Sequence, residues 1–507
     1  MAIKIDGLSL TIDDVVRVAR GGVKVELTDE AKRRVEYCRA YVDRKLSEGA
    51  VIYGLTTGFG KFSDTLISAD DTAALQRNLI ISHACGMGEP LPTEAVRGIM
   101  LLRCNALSRG NSGIRPSTLQ TLIDMLNAGV HPIIPEKGSL GASGDLAPLS
   151  HMVLTMLGEG RAEYRGEVMH SRDAMKKAGI DTVELAAKEG LALINGTQVM
   201  TSIGALVVYD AMNLAKTADL AAAMTTEASL GILKAFDAKV HELRGQPGQK
   251  IVASNMRTLL AGSRLAFDTN PEKVQDAYSI RCVPQIHGAS RDGLKYAYDV
   301  LSRELNAVTD NPLIFPDDDE AISGGNFHGQ PIAIAMDTAG MAIAELANVS
   351  ERRIERLVNP QLSGLPAFLT RHGGVCSGFM ITQYSAASMV SENKIYAHPA
   401  CVDSIPSSAN QEDHVSMGTT AARKARMILS NSERVVGIEL FAAAQAVDFR
   451  GAEKLAPATR AAYDLIRSRV PFIEHDIVMH DEMVKLEQLV SSRALLDAAE
   501  AVCGSLA

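Results

Sequence analysis

Tryptophan is absent from this chain, and aromatic residues fill only 4% of its 507 positions. Large ring contacts are therefore scarce, while plentiful Ala, Leu and Met favour helices packed on helices through small side chains. A basic excess is also missing. Lys and Arg total 51 against 60 Asp and Glu, a net charge of −9, which argues against the basic face of a nucleic-acid-binding protein. The densest basic cluster, Glu351-Arg-Arg-Ile-Glu-Arg356, alternates with acids and reads as a solvated or paired helix face. The seven cysteines contain no Cys-x-x-Cys pair, which suits free thiols in a reducing compartment better than disulfides or a zinc site. His475 and His480 are poorly spaced for one helix face, so no metal is expected. The N-terminal residues lack the unbroken apolar core of a signal peptide. The longest apolar stretch, 199–233, is interrupted by Asp210, Lys216, Asp219 and Glu227, which disfavours a membrane span. A soluble, cytoplasmic protein with no nucleic-acid or membrane partner is the expectation.

What is present is mostly helical pattern. Thr11-Ile-Asp-Asp14 offers a helix cap with acids in the first turn, and Thr28-Asp-Glu starts a second helix that Glu48-Gly49 ends. Val51-Ile-Tyr-Gly-Leu-Thr-Thr-Gly-Phe-Gly60 reads as a loop. Shorter helices are predicted over 71–84 and 92–108. Long apolar helical patterns follow over 187–233, 328–358 (stopped by Asn359-Pro360) and 413–447, with a last helical region over 453–507. The predicted fold is mainly α, a long central helical bundle with a smaller mixed N-terminal domain. The division is drawn at 1–110, carrying the loop with Tyr53 and also His83, and 111–507, carrying the long helices. Helical surface in excess of what one chain covers predicts an oligomer.

Chemistry concentrates in Gly138-Ser-Leu-Gly-Ala-Ser-Gly-Asp-Leu-Ala-Pro-Leu-Ser-His151. Within it, Ala142-Ser143-Gly144 can react with its own backbone. The Gly144 nitrogen can attack the Ala142 carbonyl carbon and close a five-membered ring. Loss of one water from that ring and one from the Ser143 side chain leaves a 4-methylidene-imidazol-5-one, an electrophile that needs no dissociable cofactor. Ordinary side chains are poor electrophiles, so this group points to chemistry on an amine. The plainer alternative is a Gly/Ser turn. A phosphate-binding glycine loop is disfavoured, because no Gly-Lys-Ser/Thr follows.

Other residues could complete such a site. Tyr53, between glycines, is either a turn anchor or a general base on a lid. The second role requires a pKa moved from its usual value of about 10. In Gln275-Asp-Ala-Tyr-Ser-Ile-Arg281, Tyr278 and Arg281 share a face if the segment is helical, and Arg281 offers a bidentate fork for a carboxylate or else plays a structural part. Asn195 lies in an Asn-Gly-Thr segment that also fits a plain turn. His83 and Phe327 are compatible with ordinary structural roles.

The strings around Ser143, Tyr53, Asn195, Arg281 and Phe327 together resemble the aromatic amino acid ammonia-lyase and aminomutase family. The resemblance runs over nearly the whole chain and includes 307–315 and 399–418. It implies the electrophile at Ala142-Ser143-Gly144, Tyr53 as base, Arg281 as carboxylate clamp, Tyr278 at the reacting centre and Gln275 lining the site. It also implies Asn195 orienting the electrophile or the substrate carboxylate, and Phe327 as an aromatic wall. Ala277 departs from the proline that relatives often carry there and leaves the side-chain roles intact. Ser82-His83 resembles the pair found in members that act on histidine, and the Glu412 carboxylate suits an imidazole, whose N–H groups a phenyl ring lacks. The implied activity is ammonia elimination from L-histidine to give trans-urocanate, in a homotetramer whose sites are shared between subunits. Alternatives are a tyrosine or phenylalanine lyase, an aminomutase, or a helical scaffold without activity.

Overall fold

Residues 2–50 and 72–507 are described by the computed structural model, and helices dominate them. The two caps read from sequence form as their chemistry requires. Thr11 accepts from the Asp14 amide and Asp14 reaches back to the Thr11 amide, a reciprocal capping box that opens Ile12–Ala19. Thr28 accepts from the Ala31 amide and opens Asp29–Ser47, which ends at Glu48. The shorter predicted helices are Thr72–His83 and Thr93–Leu107.

The apolar run over 187–233 forms two helices, Glu189–Ile194 and Gln198–Ala228, parted at Asn195-Gly196-Thr197. Most of the alanines in Gln198–Ala228 are fully buried, as expected for a predominantly apolar helix enclosed by other elements. The pattern over 328–358 forms Gln330–Val358, after which Asn359 caps a short helix beginning at Pro360. This helix is long and apolar enough to cross a membrane by length and composition, but 61% of its most apolar window is buried within the protein, the condition of a core helix. Two differences separate expectation from structure. The run predicted from 413 becomes helical only at Gly418, because residues 415–417 are engaged with the Ser143 loop (below). The region over 453–507 is not continuous; it holds Pro457–Arg469, Met479–Ser491 and Ala494–Cys503.

The chain divides into two compact units. The first comprises Met1–Tyr209, Tyr298–Asp337 and Pro399–Arg423; the second comprises Asp210–Ala297, Thr338–His398 and Lys424–Ala507. The division drawn at residue 110 does not coincide with this one, since the elements between 111 and 209 pack with the N-terminal ones. All described strands lie in the first unit. They form a parallel pair (Ile3–Ile5 with Val25–Leu27), two antiparallel pairs and an antiparallel sheet of Val130–Pro132, Arg161–Tyr164 and Glu167–His170. Helices make up the second unit: the larger parts of Gln198–Ala228, Val283–Glu304, Gln330–Val358 and Gly418–Asp448 belong to it, together with Pro247–Leu259, Tyr278–Arg281 and Met380–Tyr396.

Candidate active site

The loop carrying Ser143 is gripped on several sides within the first unit. Gly141 and Gly144 have φ of +69° and +71°, a region in which a side chain is strained. Space forbids one as well. A Cβ on Gly144 would stand 2.2 Å from the Gly196 carbonyl oxygen, and one on Gly141 would stand 2.1 Å from Ser416 Oγ. The Gly141 carbonyl accepts from Ser416 Oγ at 2.9 Å, and the Met417 amide donates to the Leu140 carbonyl at 2.8 Å. The Ala142 methyl packs with Val415 and Met417. Those contacts hold the residues just before Gly418 in a non-helical course.

Asp145 ties the same loop to the start of a long helix. Its amide donates to the Gly196 carbonyl at 2.7 Å. Its Oδ2 accepts from the Val199 and Met200 amides at 2.9 and 3.0 Å, satisfying donors at the N-terminus of Gln198–Ala228. Oδ1 accepts from the Ser139 and Thr419 hydroxyls. Burial pushes the Asp145 carboxyl above its ordinary range, and these four donors oppose the rise. Sequence gave Asp145 no role. An acid before an apolar run reads as a cap for the next helix, whereas its side chain caps a helix more than fifty residues away.

Two predicted residues meet Ser143, and a third, His83, lies within electrostatic reach of one of them. Asn195 Nδ2 donates to the Ser143 carbonyl oxygen at 2.9 Å, and Asn195 Oδ1 is buried without a hydrogen-bond partner. Ser143 Oγ donates to Glu412 Oε1 at 2.7 Å. His83, the last residue of its helix, has Nδ1 3.1 Å from Ser82 Oγ. Burial holds the His83 imidazole below its usual range; the Leu79 carbonyl and the Glu412 charge push the other way. The residues present fit a cyclised Ala142-Ser143-Gly144. The backbone is turned at a position with no room for a Cβ, a donor stands on the carbonyl that ring closure retains, and an orphaned buried acceptor lies beside it. Phe327 is partly buried, two residues before Gly329, whose amide donates to the Gly141 carbonyl at 3.4 Å.

Gln275, Tyr278 and Arg281 belong to the second unit. Tyr278–Arg281 is helical, and the Arg281 guanidinium lies 4.6 Å from the centroid of the Tyr278 ring, so the two do share a face. Tyr278 is 69% exposed, while Arg281 Nε is buried without a partner. The segment is anchored from behind. Asp276 Oδ2 accepts from the Ile232 amide at 2.6 Å, and Arg353 Nη1 donates to the Ser279 carbonyl at 3.4 Å. Arg353 is itself held by Glu439 at 2.5 and 2.8 Å and donates to His287 Nε2, while His287 Nδ1 donates to Asp219 at 2.7 Å. Burial holds His287 below its usual range, consistent with a neutral ring that donates on one side and accepts on the other. Tyr53 lies outside the described residues. Among the described residues no three His, Cys, Asp or Glu are grouped to hold a metal ion.

Known proteins share both the sequence and the fold. The family model for aromatic amino acid lyase matches residues 10–468. The chain is 61% identical over 504 residues to a histidine ammonia-lyase of Alkaliphilus metalliredigens, covering 99% of each chain. Among solved structures, a histidine ammonia-lyase from Trypanosoma cruzi superposes with a TM-score of 0.93 at 42% identity, covering 99% of this chain and 95% of that one. A tyrosine aminomutase from Streptomyces globisporus superposes with a TM-score of 0.96 at 38% identity, covering 99% of both. The reactive loop at Ser143, the residues that grip it and this full-length likeness agree: the chain belongs to the aromatic amino acid lyase family.

Proposed function

We propose that this chain eliminates ammonia from L-histidine, leaving trans-urocanate, at an electrophile made from Ala142, Ser143 and Gly144. The observation that carries the reading is the Glu412 carboxylate, 2.7 Å from Ser143 Oγ and close enough to His83 to influence its charge. A carboxylate on the reacting residue, with an imidazole within reach of its charge, suits a substrate ring with N–H donors and a ring-nitrogen acceptor. A phenyl ring has no N–H or O–H donor to pair with Glu412. The histidine ammonia-lyase names of the relatives support the same substrate.

Such a ring would supply an electrophilic methylidene carbon that takes up the substrate amine and makes its nitrogen a better leaving group. The chain's own residues do the rest. Asn195 donates to the Ser143 carbonyl oxygen, which is conjugated with that carbon after ring closure, and so draws electron density from it. Arg281 presents its guanidinium fork to the α-carboxylate, and Tyr278 lies against that fork at the reacting end. Gln275 lines the same approach, and Phe327 walls the side chain. Tyr53 takes the β-proton. Orientation by these groups lowers the entropic part of the barrier.

The proposal includes a homotetramer with shared sites. Helices carry exposed apolar residues suited to helix-on-helix association. These include Ile381, Tyr384 and Ile395 on Met380–Tyr396, and Ile334 and Met341 on Gln330–Val358. Seven cysteines outside any disulfide suit a cytoplasmic location. Incubation with L-histidine, followed by urocanate absorbance, tests the function. Cinnamate or coumarate from phenylalanine or tyrosine, or a β-amino acid, with no urocanate from histidine, overturns it.

A further inference from the structure

Glu412 sits on a loop, not on a helix or strand, so something other than regular structure must aim its carboxylate. Each carboxylate oxygen has one hydroxyl donor. Oε1 accepts from Ser143 Oγ at 2.7 Å, and Oε2 accepts from Ser407 Oγ at 2.9 Å. The same two residues are also joined through their backbones. The Ser407 amide donates to the Glu412 carbonyl at 2.9 Å, and the Glu412 amide donates to the Ser407 carbonyl at 3.2 Å. Between them, Ser408, Ala409 and Asn410 have φ of +51°, +53° and +66°. Three consecutive non-glycine residues in the left-handed region persist only where surrounding contacts over-determine them. The Ser407–Glu412 bridge closes this strained turn at its base.

Ring closure changes the balance between the two donors. Dehydration of Ser143 removes the hydroxyl that occupies Oε1. That oxygen becomes open to a substrate N–H, and the Ser407 hydroxyl is then the side-chain donor that remains on the carboxylate. A glutamate has three side-chain rotors, and one hydrogen bond at its tip restricts the last of them. We propose that Ser407 is a positioning residue, fixing the Glu412 carboxylate through Oε2 so that Oε1 faces the substrate imidazole. The inference rests on the L-histidine reading of the site. Ser407 acts through Glu412 and does not itself touch the reacting atoms.

The requirement is for a hydroxyl, not for a serine. Ser407→Ala removes the donor and leaves both backbone bonds possible, while Ser407→Thr keeps the hydroxyl. In wild type, Ser407→Ala and Ser407→Thr, intact mass reports ring formation and steady-state assays give KM and kcat for L-histidine. The expected result has all three chains two waters lighter than their sequences. KM rises about tenfold in Ser407→Ala with kcat within about threefold, because the lost aim weakens ground and transition states alike. Ser407→Thr returns KM to within about threefold of wild type. An unchanged KM in Ser407→Ala, or a Ser407→Thr variant as impaired as the alanine one, overturns the proposal. A Ser407→Ala chain at its full sequence mass also overturns it, since the residue would then serve ring formation. Absence of urocanate from wild type is a different failure and removes the L-histidine reading itself.

Discussion

Asn195 Nδ2 and the Ser143 carbonyl oxygen are 2.9 Å apart, and this contact links the reactive loop to the break between two buried helices. Glu189–Ile194 ends at Asn195 and Gln198–Ala228 begins three residues later. The amide therefore stands on well-packed elements at both sides, the arrangement that keeps a donor in place while charge develops. Replacing Asn195 with Ala should lower kcat/KM about a hundred- to a thousandfold, in the range of a lost oxyanion donor. Intact mass should still be two waters below the sequence. A variant with wild-type kcat/KM would remove Asn195 from the reaction.

Gly144 gives a sharper test of ring formation. With φ at +71° and the Gly196 carbonyl oxygen 2.2 Å from any Cβ, Gly144→Ala cannot keep the turn that brings its nitrogen towards the Ala142 carbonyl. The variant should be inactive and have the full mass of its sequence, two waters heavier than wild type. Ser143→Ala should show the same loss of activity while remaining a folded oligomer by circular dichroism and sedimentation. If either variant turns over histidine at the wild-type rate, the electrophile is not made from these residues.

Local chemistry is where the sequence was most informative. The Thr11 and Thr28 caps, the Asn-Gly-Thr break and the shared face of Tyr278 and Arg281 each depend on residues within four positions of one another, and all of them form. Less legible were contacts between segments far apart in the chain. Asp145 reaches Val199 and Met200, and Ser416 and Met417 hold Gly141 and Leu140. No periodicity encodes these pairings, because tertiary packing chooses which loop meets which helix end. The same contacts explain why the pattern over 413–447 starts its helix late. Apolar Val415 and Met417 continue the helical spacing but spend their side chains on Ala142. Ser407 escaped notice for a related reason: its bond to Glu412 spans a turn of three left-handed residues that carries no glycine to announce it.

Glu412 should matter more for turnover than for folding. Glu412→Gln keeps the shape and a hydrogen-bonding tip but removes the charge that an imidazole N–H would meet. A hydrogen bond to a charged group contributes about 2–3 kcal/mol, so kcat/KM for L-histidine should fall about a hundredfold. The thermal unfolding midpoint should move little, because the carboxylate is only partly buried. Wild-type turnover in this variant would take Glu412 out of the imidazole pocket.

A buried acid away from the reactive loop sets a pH dependence of stability. Glu227 Oε1 accepts from Ser263 Oγ at 2.6 Å and from the Ala456 amide at 2.7 Å, while Oε2 is buried without a partner. Burial pushes this carboxyl up to about 7 from an ordinary value of 4.5, against the pull of its Ser263 and Ala456 donors. A folded-state pKa above the unfolded one stabilises the protein fully below pH 4.5, where both states hold the proton. That contribution is lost as pH rises towards about 7, because the unfolded chain ionises first and the folded site resists. Up to about 3 kcal/mol is at stake. Glu227→Gln mimics the protonated acid at every pH. It should raise the apparent unfolding midpoint at pH 8 by several degrees at a fixed scan rate, and leave it close to wild type near pH 4.5. The same difference at both pH values would mean that Glu227 does not titrate across this interval and that its pairing, not its charge, determines the effect.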